Sequence, residues 1–301
     1  MTATDANPNA EAKGWKGFRT YLEMIKIEHS VFALPFAMIG MMWAAAGWPG
    51  LWVFFWIVVA MVSCRSAAMA FNRIVDRDID AINPRTRVRA IPAGLLSLRT
   101  ANLYFLGSCA IFVLAAAMLN WVALALSPLA LGITLLYSLT KRFTTLCHFV
   151  LGLSLGIAPV AAYIAVTGSL DGLAPYLWLM GAVTFWTAGF DILYSLQDEE
   201  FDRANRLRSL PQTLGKSRAL AVSRICHGLT VAFLLMAGFS YGAGVFWVIG
   251  VVLVGLLLAW EQSLVKPNDL SRIDLAFFTL NGFVSIGLFV FALIDVLVRN
   301  R

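Results

Sequence analysis

The chain has 301 residues, of which 60% are hydrophobic and 13% are charged, and its formal net charge is +6 at pH 7. Its mean hydropathy is +0.78, and soluble domains usually carry about 25% charged residues, so the composition excludes an ordinary soluble protein and indicates an integral membrane protein. The excess of Lys and Arg is therefore a signal of membrane topology, and we expect no nucleic acid partner.

The N-terminal segment divides into a tail and a short amphipathic stretch. Residues 1–14 are polar, and no short apolar region with a small-residue cleavage site follows them, so we expect no removable signal peptide. From Trp15 to Lys26 an apolar stripe has a charged opposite side, which is typical of a helix lying at the membrane interface. We predict a single transmembrane domain over residues 15–301.

Apolar runs long enough to cross a lipid bilayer dominate the rest of the chain. There are nine of them, and they occupy residues 27–47, 50–72, 100–119, 121–140, 145–167, 173–196, 217–240, 243–262 and 273–297. The fold expected from this pattern is an all-α integral membrane protein with nine transmembrane helices.

The distribution of basic residues tests that number. With nine spans, 21 of the 23 Lys and Arg residues fall in the N-terminal segment or at alternate helix ends and loops on one side. Since cytoplasmic segments collect Lys and Arg, we predict a cytoplasmic N-terminus and an external C-terminus in the inner (cytoplasmic) membrane. Eight or ten spans would spoil this segregation.

Two acidic stretches lie at helix ends on the predicted cytoplasmic side. Asn72, Asp76 and Asp80 are spaced by four residues, which puts them on one face of a helix. The second stretch has Asp191, then Asp198 seven residues later and Asp202 four further on. A carboxylate within a membrane costs about 2.5–3.5 kcal/mol, so we interpret these residues as functional and expect the active site to face the cytoplasm.

An internal repeat relates the two loops that follow these stretches. Four loop residues recur 119 positions later, and the acidic pairs match at an offset of 122. The loop residues are Arg89, Pro92, Leu95 and Arg99, which correspond to Arg208, Pro211, Leu214 and Arg218. Both units enter from the same side, which predicts a parallel repeat of residues 50–120 and 173–240 around a central cavity open to the cytoplasmic side.

The residue types favour one kind of ligand. Oxygen ligands without His or Cys select Mg²⁺ or Mn²⁺, and Mg²⁺ usually takes one or two carboxylates together with substrate phosphates. Basic residues near the acidic faces can neutralise the remaining phosphate oxygens. They are Arg85, Arg87, Arg89, Lys141, Arg206 and Arg208. In a membrane protein this combination points to a lipid diphosphate.

The two acidic stretches read N-R-I-V-D-R-D-I-D from Asn72 and D-I-L-Y-S-L-Q-D-E-E-F-D from Asp191. They resemble the two signature motifs of the UbiA superfamily of intramembrane aromatic prenyltransferases, and the resemblance extends over nearly the whole chain. Arg73 stands where many members have Asp. The loop N-P-R-T-R-V-R-A-I-P-A-G, from Asn83, and Y-S-L-T-K-R, from Tyr137, are similar to 4-hydroxybenzoate polyprenyltransferases.

This resemblance implies transfer of a polyprenyl group from polyprenyl diphosphate to a ring carbon of a small aromatic acid such as 4-hydroxybenzoate. The opening K-I-E-H-S-V-F-A-L-P-F-A resembles a branch that is thought to serve menaquinone synthesis, so 1,4-dihydroxy-6-naphthoate is an alternative acceptor. Haem, chlorophyll and homogentisate acceptors are also conceivable. The partners implied are these two substrates and the lipid bilayer, with no obligate protein partner evident.

The resemblance also assigns roles to single residues. Asn72 is a ligand or orienter, and Asp191 orients or deprotonates the acceptor phenol. Arg142 pairs with the acceptor carboxylate or is a simple helix-end cation. The Mg²⁺ ligands are Asp76, Asp80, Asp198 and Asp202. The groups that bind the diphosphate are Arg85, Arg89, Lys141 and Arg208.

The remaining features favour structural interpretations. His29, His148 and His227 are too far apart for a local ligand motif, and we interpret them as packed or interfacial residues. Gly152 and Gly156 have the spacing of close helix packing in membranes. A cation-coupled transporter is the rival function, but it predicts ionisable groups near the middle of the membrane rather than at cytoplasmic helix ends beside arginines.

Overall fold

The computed structural model describes residues 14–25 and 32–299. Within them the secondary structure is helical, with one isolated bridge between Lys266 and Asp269. The helices are α1 (Gly14–Ile25), α2 (Leu34–Ala44), α3 (Leu51–Val75), α4 (Arg77–Ile82), α5 (Leu98–Leu119), α6 (Trp121–Thr140), α7 (Cys147–Thr167), α8 (Ala174–Ser195), α9 (Glu199–Ala204), α10 (Leu210–Leu214), α11 (Lys216–Tyr241), α12 (Val245–Leu264) and α13 (Asn281–Arg299). A 3₁₀ turn at Leu196–Asp198 precedes α9, and a π-helix at Leu275–Leu280 precedes α13.

The predicted helical membrane architecture is confirmed, and the ends of most spans agree within about three residues. Eight helical stretches of the described chain are long and apolar enough to cross a membrane. α2 has 11 residues and is shorter than a span, since a span needs about 20. The predicted first span, 27–47, begins among residues outside the described ranges, so a total of nine stays a prediction.

α1 forms where the amphipathic pattern predicts a helix. Its Tyr21 side chain is buried, and the hydroxyl lies 3.1 Å from Ser108 Oγ on α5 and 3.4 Å from the Ser66 carbonyl on α3. Trp15 on the other side is exposed. α1 therefore packs against two spans, α3 and α5.

The helix ends opposite the acidic stretches are fixed by side-chain caps. Asn120 Oδ1 accepts a hydrogen bond from the N–H of Ala123, while Asn120 Nδ2 donates to the Ile164 and Ala165 carbonyls of α7. The buried carboxylate of Asp295 accepts from the N–H of Gly244 at the start of α12. These bonds satisfy backbone groups that a helix terminus leaves unpaired in an apolar environment.

α7 and α8 approach closely, as the glycine spacing predicts. A Cβ added at Gly152 would lie 2.2 Å from the Thr184 carbonyl oxygen, and one at Gly156 would lie 2.5 Å from Thr184 Oγ1. Only residues without a side chain allow the two backbones this contact. The contact sets the distance between the first turn of α7 and the last two turns of α8, which carry residues of the site.

The structure corrects the expectation of continuous helices through the two acidic stretches. α3 ends at Val75, Asp76 has φ −92° and ψ 4°, and α4 starts at Arg77. α8 ends at Ser195 and continues as a 3₁₀ turn. The spacing alone predicted that the acidic residues of each stretch share one face of a continuous helix. Because each helix is interrupted, Asp80 lies on the short helix α4 and Asp202 on the short helix α9.

Candidate active site

An ion pair joins the loop that follows the first acidic stretch to the second acidic stretch. Arg85, in the loop between α4 and α5, donates from Nη2 to Asp198 Oδ2 at 2.7 Å and from Nε to Asp198 Oδ1 at 3.2 Å. Its Nη1 also donates to the Tyr194 hydroxyl at 3.3 Å. This two-point contact brings residues that are 113 positions apart into one site.

The carboxylates of the first stretch are also bound to arginines. Asp76 Oδ2 accepts from Asn72 Nδ2 at 2.9 Å, and Asp76 Oδ1 accepts from Arg142 Nη2 at 3.1 Å. Asp80 is buried, and both of its oxygens lie within 2.8 Å of Arg89 Nη1. Arg142 therefore contacts the predicted metal side of the site, and its pairing with an acceptor carboxylate stays a prediction.

The second stretch holds the most deeply buried carboxylate of the site. Asp202 has no exposed surface, and its Oδ1 lies 2.8 Å from Lys141 Nζ. Arg208 donates from its backbone N–H to the Lys141 carbonyl at 2.7 Å and from Nη1 to the Phe143 carbonyl at 2.8 Å. Arg208 thus holds the α6–α7 loop against the α9–α10 loop in this conformation, which is a structural task.

Four carboxylates of the site therefore share a property: each is paired with a Lys or Arg side chain. We refer to them as the four cation-paired carboxylates. They are Asp76 with Arg142, Asp80 with Arg89, Asp198 with Arg85, and Asp202 with Lys141.

Burial and these pairings change the pKa values of several groups at the ends of the spans. Burial raises the pKa of the Asp76 carboxyl, and the hydrogen bond from Arg142 opposes that effect. Burial by itself lowers the pKa of the Lys141 ammonium, but the contact with Asp202 outweighs it and the pKa is raised. The pKa of Arg85 is likewise raised, because Asp198 outweighs burial.

The ligand types present suit a divalent cation. In the described part of the chain, no three His, Cys, Asp or Glu side chains come together as a metal site. Mg²⁺ needs only one or two carboxylates when a substrate phosphate supplies the other oxygens. The pair Asn72 and Asp76 and the pair Asp198 and Asp202 are hard oxygen donors of this kind, and each carboxylate now binds a cationic side chain that an ion could replace.

Asp191 differs from these four. Its Oδ2 lies 2.6 Å from His148 Nδ1 on α7, and its carboxylate is partly exposed while the imidazole is buried. His148 is therefore a site residue that the sequence analysis assigned to packing. His227 is a packed residue as expected, 3.0 Å from Gln262 Nε2, and His29 lies outside the described residues.

An apolar cavity of about 280 Å³ extends away from the charged groups between α2, α3, α5, α6 and α7. Tyr137 lines it, and the same ring is close enough to Asp76 and Asp191 to interact with both electrostatically. Lys141 follows one helical turn later on α6. Tyr137 therefore links the cavity to Asp76, one of the four cation-paired carboxylates, and to Asp191.

Sequence reasoning missed four side chains of this site. Tyr137, His148 and Tyr194 were quoted within motifs or treated as packing, and Arg73 was noted only as a departure. Arg73 is buried, with Nη1 3.3 Å from Asn72 Oδ1. A polar residue inside or at the end of an apolar span is the signal that could have found them.

The fold and site together define a multi-span membrane protein with two facing acidic motifs beside an apolar cavity. The matching family model is the UbiA prenyltransferase family, over residues 33–285. The chain belongs to this family. Since the family is one of prenyltransferases, the transporter alternative is not supported.

Curated relatives are similar over most of their length. The 4-hydroxybenzoate octaprenyltransferase of Nitrosomonas europaea is 31% identical over 87% of this chain and 88% of its own. That of Vibrio atlanticus is 28% identical over 82% of this chain and 87% of its own.

Solved structures share the fold. The apo structure of a UbiA homolog from Aeropyrum pernix has a TM-score of 0.82 and 36% identity, covering 89% of this chain and 98% of that one. A UbiA homolog from Archaeoglobus fulgidus, bound to GPP and Mg²⁺, has a TM-score of 0.66 and 21% identity over 92% of this chain and 99% of its own.

Proposed function

We propose that this protein transfers a polyprenyl group from polyprenyl diphosphate to a ring carbon of 4-hydroxybenzoate in ubiquinone biosynthesis, with release of diphosphate. The observation that carries the proposal is that Tyr137 lines an apolar cavity and also interacts electrostatically with Asp76, one of the four cation-paired carboxylates, and with Asp191. A lipid diphosphate needs both surfaces, since its head is strongly charged and its tail is apolar. The relatives named 4-hydroxybenzoate octaprenyltransferase support the choice of acceptor.

The charged groups have separable tasks on the donor side. Asn72 and the four cation-paired carboxylates would hold Mg²⁺, with Mn²⁺ as a substitute, and the bound ion would neutralise charge on the leaving diphosphate. The homolog bound to GPP and Mg²⁺ supports this use of metal. Arg85, Arg89 and Lys141, once displaced from their carboxylates, are long enough and charged to take up phosphate oxygens. Arg208 would act by holding the loops around them.

The reaction joins a prenyl carbon to the ring as the bond from that carbon to the diphosphate oxygen breaks, and the diphosphate keeps the electron pair. Asp191 accepts the phenolic proton of the acceptor, which raises the electron density of the ring beside the hydroxyl. The proton bound to the attacked ring carbon then passes to water, which restores the aromatic ring. Arg142 would bind the acceptor carboxylate after leaving Asp76.

We also propose the topology that the sequence predicts: nine spans, the N-terminus inside and the site facing the cytoplasm of the inner membrane. The charge segregation supports it. The parallel repeat of residues 50–120 and 173–240 belongs to this proposal, but the cavity lies between α2, α3, α5, α6 and α7, so the second unit does not line it. In the structure α3 packs against α5, and α8 packs against α11.

The test is product analysis with a choice of acceptor. Membranes containing the protein receive polyprenyl diphosphate, Mg²⁺ and equal amounts of 4-hydroxybenzoate and 1,4-dihydroxy-6-naphthoate, and products are identified by mass spectrometry. Prenylated 4-hydroxybenzoate supports the proposal. If only the naphthoate is prenylated, the protein is assigned to menaquinone synthesis. If neither acceptor is prenylated although the donor is active, both assignments are contradicted. Membranes with Asp198→Ala serve as the control.

A further inference from the structure

The partner of Asp191 is chemically unlike the partners of the other site carboxylates. Among the described residues, the four cation-paired carboxylates contact Lys or Arg, while Asp191 contacts an imidazole. A Lys or Arg cancels the charge of its carboxylate at neutral pH. What His148 does depends on where its ring protons are.

The hydrogen bond at the second ring nitrogen of His148 shows which ring nitrogen carries the proton. Its Nε2 lies 3.2 Å from the backbone N–H of Leu210, the first residue of α10. A peptide N–H can only donate, so Nε2 must accept and cannot carry a proton. The ring is therefore neutral with its proton on Nδ1, and that proton is donated to Asp191 Oδ2 at 2.6 Å.

Three further features of the structure hold the imidazole in this position. Cys147 Sγ lies 3.5 Å from the Arg208 carbonyl, so consecutive residues of α7 hold the segment that presents Leu210. The side chain of His148 is 2% exposed, which leaves no room for the ring to turn into solvent. One turn further along α7, Gly152 brings the helix against α8 and so sets the distance to Asp191.

We propose that His148 is the positioning residue of the acceptor side: it fixes one oxygen of the Asp191 carboxylate and leaves the other oxygen for the acceptor phenol. Among the described residues Asp191 Oδ1 has no hydrogen-bond partner, and the carboxylate is 24% exposed. Cation-paired carboxylates serve the metal and the diphosphate, while the histidine-paired one serves as base. This inference rests on the proposed function for the identity of the acceptor.

The first test is independent of activity. Protein labelled at the histidine ring nitrogens is placed in proteoliposomes and examined by solid-state NMR at neutral pH, and the His148 signal is assigned by its loss in His148→Asn. We expect the neutral ring with the proton on Nδ1. A doubly protonated ring, or one with the proton on Nε2, would overturn the inference even if the enzyme proved to use another acceptor.

The second test uses two variants that each replace one side of the ring. The amide of Asn can stand in for Nδ1 and donate to Asp191, whereas the amide of Gln can stand in for Nε2 and accept from Leu210. We expect His148→Ala and His148→Gln to lower kcat for 4-hydroxybenzoate by about 10- to 100-fold, with His148→Asn recovering most of it. The KM for the donor should stay within about twofold, because donor groups are untouched.

His227→Asn is the matched control, because it alters another buried histidine that, among the described residues, forms no hydrogen bond or ion pair with Asp191. Recovery by Gln rather than Asn would show that His148 only anchors the Leu210 segment. A parallel rise in donor KM would place it with the donor groups. If the wild-type protein prenylates no aromatic acid, the proposed function fails, and the ring-nitrogen spectrum still decides the state of His148.

Discussion

The substitution Gly152→Ala tests whether helix spacing controls the site. The added Cβ would lie 2.2 Å from the Thr184 carbonyl oxygen, whereas ordinary contact begins near 3.4 Å, so α7 and α8 must separate by about 1.2 Å. The obstacle is backbone, which cannot rotate away. Gly152 lies one helical turn from His148, so this separation would stretch the 2.6 Å hydrogen bond to Asp191 past the usual limit of about 3.2 Å.

The expected changes in Tm and in transfer rate are estimated separately. Ala gains up to about 1 kcal/mol over Gly in a helix, while overpacking costs about 1–3 kcal/mol, so we expect an apparent Tm about 2–6 °C lower. Loss of a hydrogen bond to a charged group, about 1.5–3 kcal/mol, corresponds to a transfer rate about 10- to 100-fold lower.

The assay is thermal unfolding of the detergent-solubilised protein together with initial rates of 4-hydroxybenzoate prenylation. Gly132→Ala on α6 is the matched control, because its Cβ would meet no atom within 4 Å and the change should leave both values near wild type. A Gly152→Ala protein with wild-type rate and Tm would refute the link between the α7–α8 contact and the acceptor base.

Three further results are expected. Alanine at any of the four cation-paired carboxylates, or addition of a chelator, should reduce turnover by orders of magnitude, and full activity in two such variants would refute the metal site. Lys141→Met should cost about 3–5 kcal/mol because it leaves a buried carboxylate unpaired. The pKa of Lys141 lies above its usual 10.5 in the folded protein. The stabilisation from its charge is therefore fully present below pH 10.5 and is lost as the pH rises through the folded pKa. Thermal scans at alkaline pH should show a steeper fall of Tm with pH for the wild type than for the variant. Reporters fused at Gly168 and Asn268 should lie on opposite sides of the membrane, and finding both on one side would remove the common cytoplasmic site.

Much of the fold could be predicted from the sequence, because backbone groups inside a lipid bilayer must be hydrogen-bonded within the protein. An apolar run of about 20 residues has to be a helix, so the ends of α6 and α7 were predicted within two residues. Gly152 and Gly156 were predictable for the same reason, since small residues at helical spacing have few other uses in a span.

The contacts inside the site could not be predicted in the same way, because they join residues that are far apart in the chain. Arg85 and Asp198 are separated by 113 positions, and nothing in either motif specifies the pairing. His148 looked like a packing residue because its partners, Asp191 and Leu210, lie 43 and 62 positions away. The helix breaks beside Asp76 and Asp198 were missed since both stretches have acceptable helical composition.

The pairing of the site carboxylates with arginine and lysine couples the binding of the metal ion to the binding of the diphosphate. A metal ion arriving alone would have to displace a cation from a carboxylate and leave that guanidinium or ammonium without a counterion. A diphosphate arriving with it supplies that counterion. Each ligand therefore raises the affinity for the other, and by thermodynamic reciprocity the two factors are equal. Magnesium should bind weakly without donor, and the donor weakly without magnesium, so the enzyme would bind the metal–diphosphate complex as a unit.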